Sequence, residues 1–81
     1  MIGRHNVLEA KVGMELRKRK VPDQIVDSLV AGFDSDREGL FIWTILADKD
    51  EIYATKHRLH SSSLAYAQIA VVVIAEMEKD G

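Results

Sequence analysis

The chain contains no cysteine. That excludes disulfides, thiolate metal sites and a cysteine nucleophile, and it fits a reducing cytoplasm, the expected location. Proline occurs once, and aromatic residues make up only 6% of the chain, with a single tryptophan. Neither sign of charge dominates. Eleven Lys and Arg against thirteen Asp and Glu leave a formal net charge of −2, so nothing draws the whole molecule to nucleic acid or an anionic membrane. The longest apolar stretch, Ile69 to Ala75, falls well short of the ~20 residues that span a bilayer. Met1 to Asn6 lacks a basic start followed by an apolar stretch, so no signal peptide is expected. There is no internal repeat, glycine-rich phosphate loop, HExxH or nucleophile elbow. No enzymatic activity, metal or cofactor is therefore expected.

The chain does have a core's worth of apolar residues: 47% of 81 positions are hydrophobic, enough for one globular domain over 1–81. A domain this small, without staples, often gains stability by oligomerising. The most informative stretch is 64–77, where only Gln68 and Glu76 are polar. As a helix it is apolar around nearly its whole circumference, and such a helix must be covered on most sides.

Asn6 followed by Glu9 reads as a capping box. Leu8, Val12 and Leu16 then recur every four residues, and Arg17-Lys18-Arg19-Lys20 complements the dipole at the helix end. Gly13 interrupts this helix and marks a candidate close backbone contact. Pro22 opens a second helix through Ile25, Val26, Leu29 and Val30, with Gly32 as its stop. Asp34 to Gly39 is a polar loop. Leu40 to Ala47 and Ile52 to Arg58 read as strands joined by a turn. With the turn centred between Lys49 and Asp50, Ala47 faces Ile52, Ile45 faces Ala54, Trp43 faces Lys56 and Phe41 faces Arg58. Phe41, Trp43, Ile45, Ala47, Ile52 and Ala54 then share one side. Leu40, Ile42, Leu46 and Tyr53 share the other with Thr44, Thr55 and His57. The first strand is thus apolar on both faces, which requires cover on both or a waiting partner. A last helix is expected over Ser63 to Lys79, capped by the serines. A strand over Ala70 to Ala75 is the competing reading, because β-branched residues are stiff at χ1.

Several clusters are candidate sites. Lys56, Arg58 and His60 before Ser61, Ser62 and Ser63 would place cations at a helix N-terminus, where an anion is favoured. Arg17 to Lys20 could meet phosphates, but a solvated helix end answering the dipole is the favoured reading, since the net charge is negative. The flanking helix–turn–helix pattern lacks a basic residue in its second helix, which makes it a poor reader of bases. Asp34-Ser35-Asp36-Arg37-Glu38-Gly39 follows the first half of a calcium loop, yet position 12 would be Ile45 instead of the bidentate Glu. His57 and His60 are spaced for a metal only on a helix. Trp43 fits a core position, with an interface anchor as the other reading.

The expected fold is α+β: two N-terminal helices, a β-hairpin and a long apolar C-terminal helix, in the order ααββα, assembled as a homo-oligomer. Phe41, Trp43, Tyr66, Val72, Val73 and Met77 are the interface candidates. The expected function is a non-enzymatic protein-binding module acting as a homo-oligomer, such as an inhibitor, adaptor or accessory subunit. The alternative is a nucleotide, phosphate or nucleic-acid binder using the basic stretch before the last helix.

Overall fold

Alternating side chains along Leu40 to Ala47 build the longest strand of the molecule, and the rest of the fold is arranged around it. A computed structural model describes residues 3–59 and 65–79. Its elements are β1 (Gly3–Arg4), α1 (Asn6–Lys18), α2 (Asp23–Val26), β2 (Val30–Asp36), β3 (Gly39–Asp48), β4 (Glu51–Arg58) and α3 (Tyr66–Glu78). The four strands form one antiparallel sheet in the order β1-β2-β3-β4. The class is the expected α+β, with three helices, but a four-stranded sheet replaces the hairpin and the element order is βααβββα.

The β3–β4 register is the one read from the turn, with Ala47 opposite Ile52, Ile45 opposite Ala54, Trp43 opposite Lys56 and Phe41 opposite Arg58. The expected two-sidedness follows. Ile42, Thr44, Leu46 and Tyr53 are buried, and together with Ala31 they meet Leu8, Val12 and Leu16 of α1 and Ile69, Ala70 and Val73 of α3. The helices lie on that face alone.

The second helix is where expectation and structure part. Only one turn forms, and from Val30 the chain is strand. Ser28 accounts for the stop. Its hydroxyl donates to the Ile25 carbonyl at 2.6 Å and accepts from the Ala47 amide at 2.8 Å. A serine that bonds its own backbone ends helices readily, and here it also occupies the β3 amide lying just beyond the start of β2. Val30 to Asp36 then pairs with β3 along its whole length. The supposed polar loop is thus mostly strand, and its turn is short. The Asp36 carboxylate accepts from the Glu38 amide at 2.9 Å, and Gly39 takes φ +117°, a backbone conformation that glycine adopts without strain.

α1 begins one residue earlier than its sequence signature suggests. His5 is the N-cap, its Nδ1 accepting from the Leu8 amide at 3.2 Å. Glu9 does not close a capping box. Its carboxylate takes the Arg4 guanidinium at 2.5 Å and the Ala31 amide at 3.2 Å, so it ties β1, α1 and β2 together. Arg4 and the Ala31 amide both hold the Glu9 carboxyl below its ordinary value. Gly13 is buried against α2, where an added Cβ would meet Val26 Cγ1 at 3.4 Å. This is the close packing expected of it.

At the end of α1 the Val21 amide returns to the Leu16 carbonyl and the Lys20 amide to Arg17. This double bond pattern puts Lys20 in the left-handed region at φ 69°, a position that glycine usually fills. Lys20→Gly is therefore expected to stabilise the fold by about 0.5–1 kcal/mol. A thermal midpoint below that of the parent would refute the assignment.

α3 spans the stretch that the sequence marks as apolar all round. The helix reading over 70–75 holds, and the strand does not form. Tyr66, Ile74 and Met77 pack partly buried against the core, and Val73 is wholly inside it. Ala67, Val71 and Ala75 form the exposed line, with only Val71 large among them. The helix thus satisfies its own apolar surplus. α1 and the sheet cover its bulky sides, and Val71 faces outwards between Ala67 and Ala75. The helix starts at Tyr66 instead of Ser63, with Ala65 as its N-cap and no side-chain cap, so the expected serine cap does not form; Ser61 to Ser63 themselves lie outside the described residues.

Candidate functional site

Phe41, Trp43 and Ile45 leave β3 on the side opposite the helices, and Ile52 and Ala54 leave β4 on the same side. No helix among the described residues packs there. Ile52 is 71% exposed and Ile45 41%, whereas Ile42, Thr44 and Leu46, their neighbours along or across the strands, are sealed. A strand buried on one face and apolar on its open face presents a contiguous patch, and such patches mark contact sites. A hollow of about 260 Å³ opens in it, lined by Asp34, Phe41, Trp43, Ile45 and Ala54. That is small for a drug-sized ligand.

Strand alternation puts Trp43 on this face, with Gly32 opposite it on β2. With no side chain at Gly32, the indole ring lies over the bare backbone, and a Cβ there would come within 2.7 Å of its Cζ2. Trp43 is therefore partly buried by its own sheet while lying on the open side. Its indole nitrogen is shielded from solvent and has no hydrogen-bond partner among the described residues.

The rim at one end is charged. Asp36 lies between two cations, with Arg58 at 2.7 and 2.8 Å and Lys56 at 2.7 Å. Arg58 first, and Lys56 after it, hold the Asp36 carboxyl well below the usual carboxylate range. The Lys56 ammonium also sits 4.2 Å from the Phe41 ring centroid and the Arg58 guanidinium 5.3 Å from it. The cluster thus fixes the Phe41 ring at the margin of the apolar patch. Lys56 and Arg58 are consequently engaged by an internal carboxylate and a ring on the open face, while α3 lies on the other face. His60 and Ser61 to Ser63, the rest of the candidate anion site, lie outside the described residues.

The other candidates resolve locally. Arg17 pairs with Asp23 and Asp27 at 3.1 and 3.0 Å, and Lys18 and Arg19 both take Glu15. Three of the four charges of the basic run, those of Arg17, Lys18 and Arg19, are thus answered at the helix end. Asp34, Ser35 and Asp36 stand in β2 with Asp36 committed to Arg58, which breaks up the supposed calcium loop. Among the described residues no cluster of three His, Cys, Asp or Glu could hold a metal ion, and no helix is long and apolar enough to cross a membrane. Of the six interface candidates, Phe41 and Trp43 lie on the open face, whereas Tyr66, Val73 and Met77 belong to the chain's own core and Val72 is half-buried. Sequence reasoning missed Gly32, Glu9 and Ser28 as organisers.

The helix-covered face holds a polar chain. The Thr44 and Thr55 hydroxyls share a hydrogen bond, and Thr55 contacts His57 Nε2 at 2.6 Å. Burial pushes the His57 imidazole below its ordinary value of 6.5, so the folded state binds its proton less readily than the unfolded state. The resulting stability is complete above about pH 6.5 and is lost as the pH falls through that region. Denaturation midpoints should drop between pH 7 and pH 5 in the parent and drop less in His57→Gln. Equal slopes would dismiss the role. Asp36, also depressed, contributes its own loss at lower pH, beginning as the pH falls through the usual carboxylate range and continuing below it.

No family model matches the chain, and neither does any curated protein or solved structure.

Proposed function

We propose that the protein is a non-enzymatic protein-binding module, working as a homo-oligomer, that engages its partner through the open face of the sheet. One observation carries the reading. β3 buries Ile42, Thr44 and Leu46 on one side, and on the other carries Ile45 exposed and Phe41 and Trp43 half-buried, with no helix among the described residues packed over them. An aromatic and aliphatic centre with a charged rim is the usual anatomy of a protein interface. The polar groups at that rim pair with one another, which leaves little free charge for phosphate. A reducing cytoplasm is the proposed location, from the absence of cysteine.

Ile45→Asp is the test. Ile45 is well exposed, so the fold should survive, while a charge at the centre of the patch should abolish partner binding. Expected is a partner, recovered from the native source at both low and high salt, that the variant fails to retain. Loss of binding with rising salt, together with loss in Lys56→Ala and Arg58→Ala, would instead favour the nucleotide or nucleic-acid reading. Light scattering checks self-association independently. A mass near 9.1 kDa at tens of micromolar would reject the homo-oligomer.

A further inference from the structure

Among the described residues the sheet has one long open edge, since β1 at the other side is only two residues long. On the β2 side, β1 pairs with Gly32 and Phe33, the His5 amide takes the Ala31 carbonyl at 2.9 Å, and Glu9 takes the Ala31 amide. At the end of β3, Ser28 takes the Ala47 amide. β4 is the other edge, and it is eight residues long. The two-residue turn makes Asp48 and Glu51 a hydrogen-bonded pair, and the Leu59 amide bonded to the Leu40 carbonyl continues that same alternation. The backbone groups of Ile52, Ala54, Lys56 and Arg58 therefore point away from β3. Among the described residues no backbone partner meets them. An edge this long is a template for another strand, and natural sheets guard or use such edges.

The sequence of β4 and its turn says which strand fits. It begins acidic with Asp50 and Glu51, runs neutral through Ile52 to Thr55, and ends basic with Lys56 and Arg58. Read backwards, it is its own electrostatic complement. An antiparallel copy sets each acidic end against a basic end, whereas a parallel copy would stack like charges. Only even-numbered residues offer outward backbone groups, so they must pair with each other. A two-fold axis at Ala54 meets this condition. It places Ala54 against Ala54 of the second copy, Ile52 against its Lys56 and Asp50 against its Arg58. The small methyl groups at the axis let the strands approach.

We propose that two copies of this chain join β4 to β4 antiparallel about an axis at Ala54, forming one continuous sheet. The inference rests on the homo-oligomer reading above and gives it a geometry. The open apolar faces of both copies then lie on the same side, doubling the surface offered to a protein partner. Association through an isologous edge closes after two copies.

The absence of native cysteine makes the test clean. Ala54→Cys introduces the sole thiol, and with diamide as oxidant it should form a disulfide-linked dimer, because Cα atoms of directly paired antiparallel residues lie about 5.5 Å apart. Ile52→Cys, four residues of register away from its own copy, should not. Asp50→Lys, on an exposed turn where folding is not at risk, should weaken dimerisation by about tenfold, since two symmetric pairs are lost. Ile45→Asp should leave the dimer intact. A dimer by light scattering that ignores Ala54→Cys and Asp50→Lys but dissociates in Ile45→Asp overturns the edge and keeps the homo-oligomer. A monomer at tens of micromolar overturns both.

Discussion

Gly32→Ala is expected to lose about 3 kcal/mol of stability, at the upper end of the range for forced overpacking. An alanine Cβ at this position would stand 1.9 Å from the Gly3 carbonyl oxygen, 2.6 Å from its carbon and 2.7 Å from Trp43 Cζ2. The indole edge could swing aside, but the carbonyl is main chain and cannot. Either β1 lifts from β2 or the middle of β2 bows away. If β1 lifts, its two ladder pairs go, and the bridge from Arg4 through Glu9 to the Ala31 amide loses its geometry. Chemical denaturation followed by circular dichroism measures the loss. A change under about 0.5 kcal/mol would mean that the close approach is not a constraint.

The second large effect is a contrast between neighbours. Leu46→Ala removes a side chain with no exposure from the centre of the sheet's buried face, and should cost about 3 kcal/mol through lost transfer energy and a residual cavity. Ile45→Ala, one residue earlier on the same strand, sits on the open face and should cost less than about 1 kcal/mol. Small domains are stable by only about 5–15 kcal/mol, so the first variant should be partly unfolded at moderate denaturant while the second resembles the parent. Similar losses for both would mean that the open face is packed within the single chain. The proposed contact surface would then have no basis.

Much of the architecture was legible because it depends on period and turn. The β3–β4 register followed from a four-residue turn and the two-residue alternation of strand side chains, and it assigned every one of Phe41, Trp43, Ile45, Ile42 and Leu46 to the face it occupies. The buried stripe Leu8, Val12 and Leu16 was legible for the same reason with a helical period. β2 was not. Val30-Ala31-Gly32-Phe33 is too short and too small to carry a strand signature, and Ile25 to Val30 continues a helical spacing that tertiary contact overrides. What decides between the two is Ser28, whose hydroxyl bonds Ala47, nineteen residues away in sequence. The Asp36–Arg58 rim was invisible for a like reason. Arg58 stands near serines in the chain and near Asp36 in space, so local reading joined it to the wrong neighbours. The apolar helix was read as needing outside cover because inward Ile69, Ala70 and Val73 could not be told from outward Ala67, Val71 and Ala75 before its neighbours were known.

The sheet also divides by the distance its contacts span along the chain. β2, β3 and β4 are joined by two turns of two residues each, so their ladders close over short loops. β1 reaches β2 only across the whole of α1 and α2, with Gly3 paired to Phe33. Loop closure costs entropy that rises with loop length, and assembly from near neighbours is the faster route. The three-stranded meander is thus the part this chain can build first from local contacts. β1 and its Glu9 bridge form a clasp that closes once α1 has docked. Because Gly32 serves both the Trp43 face and this clasp, one residue without a side chain couples the last step of folding to the shape of the surface left open.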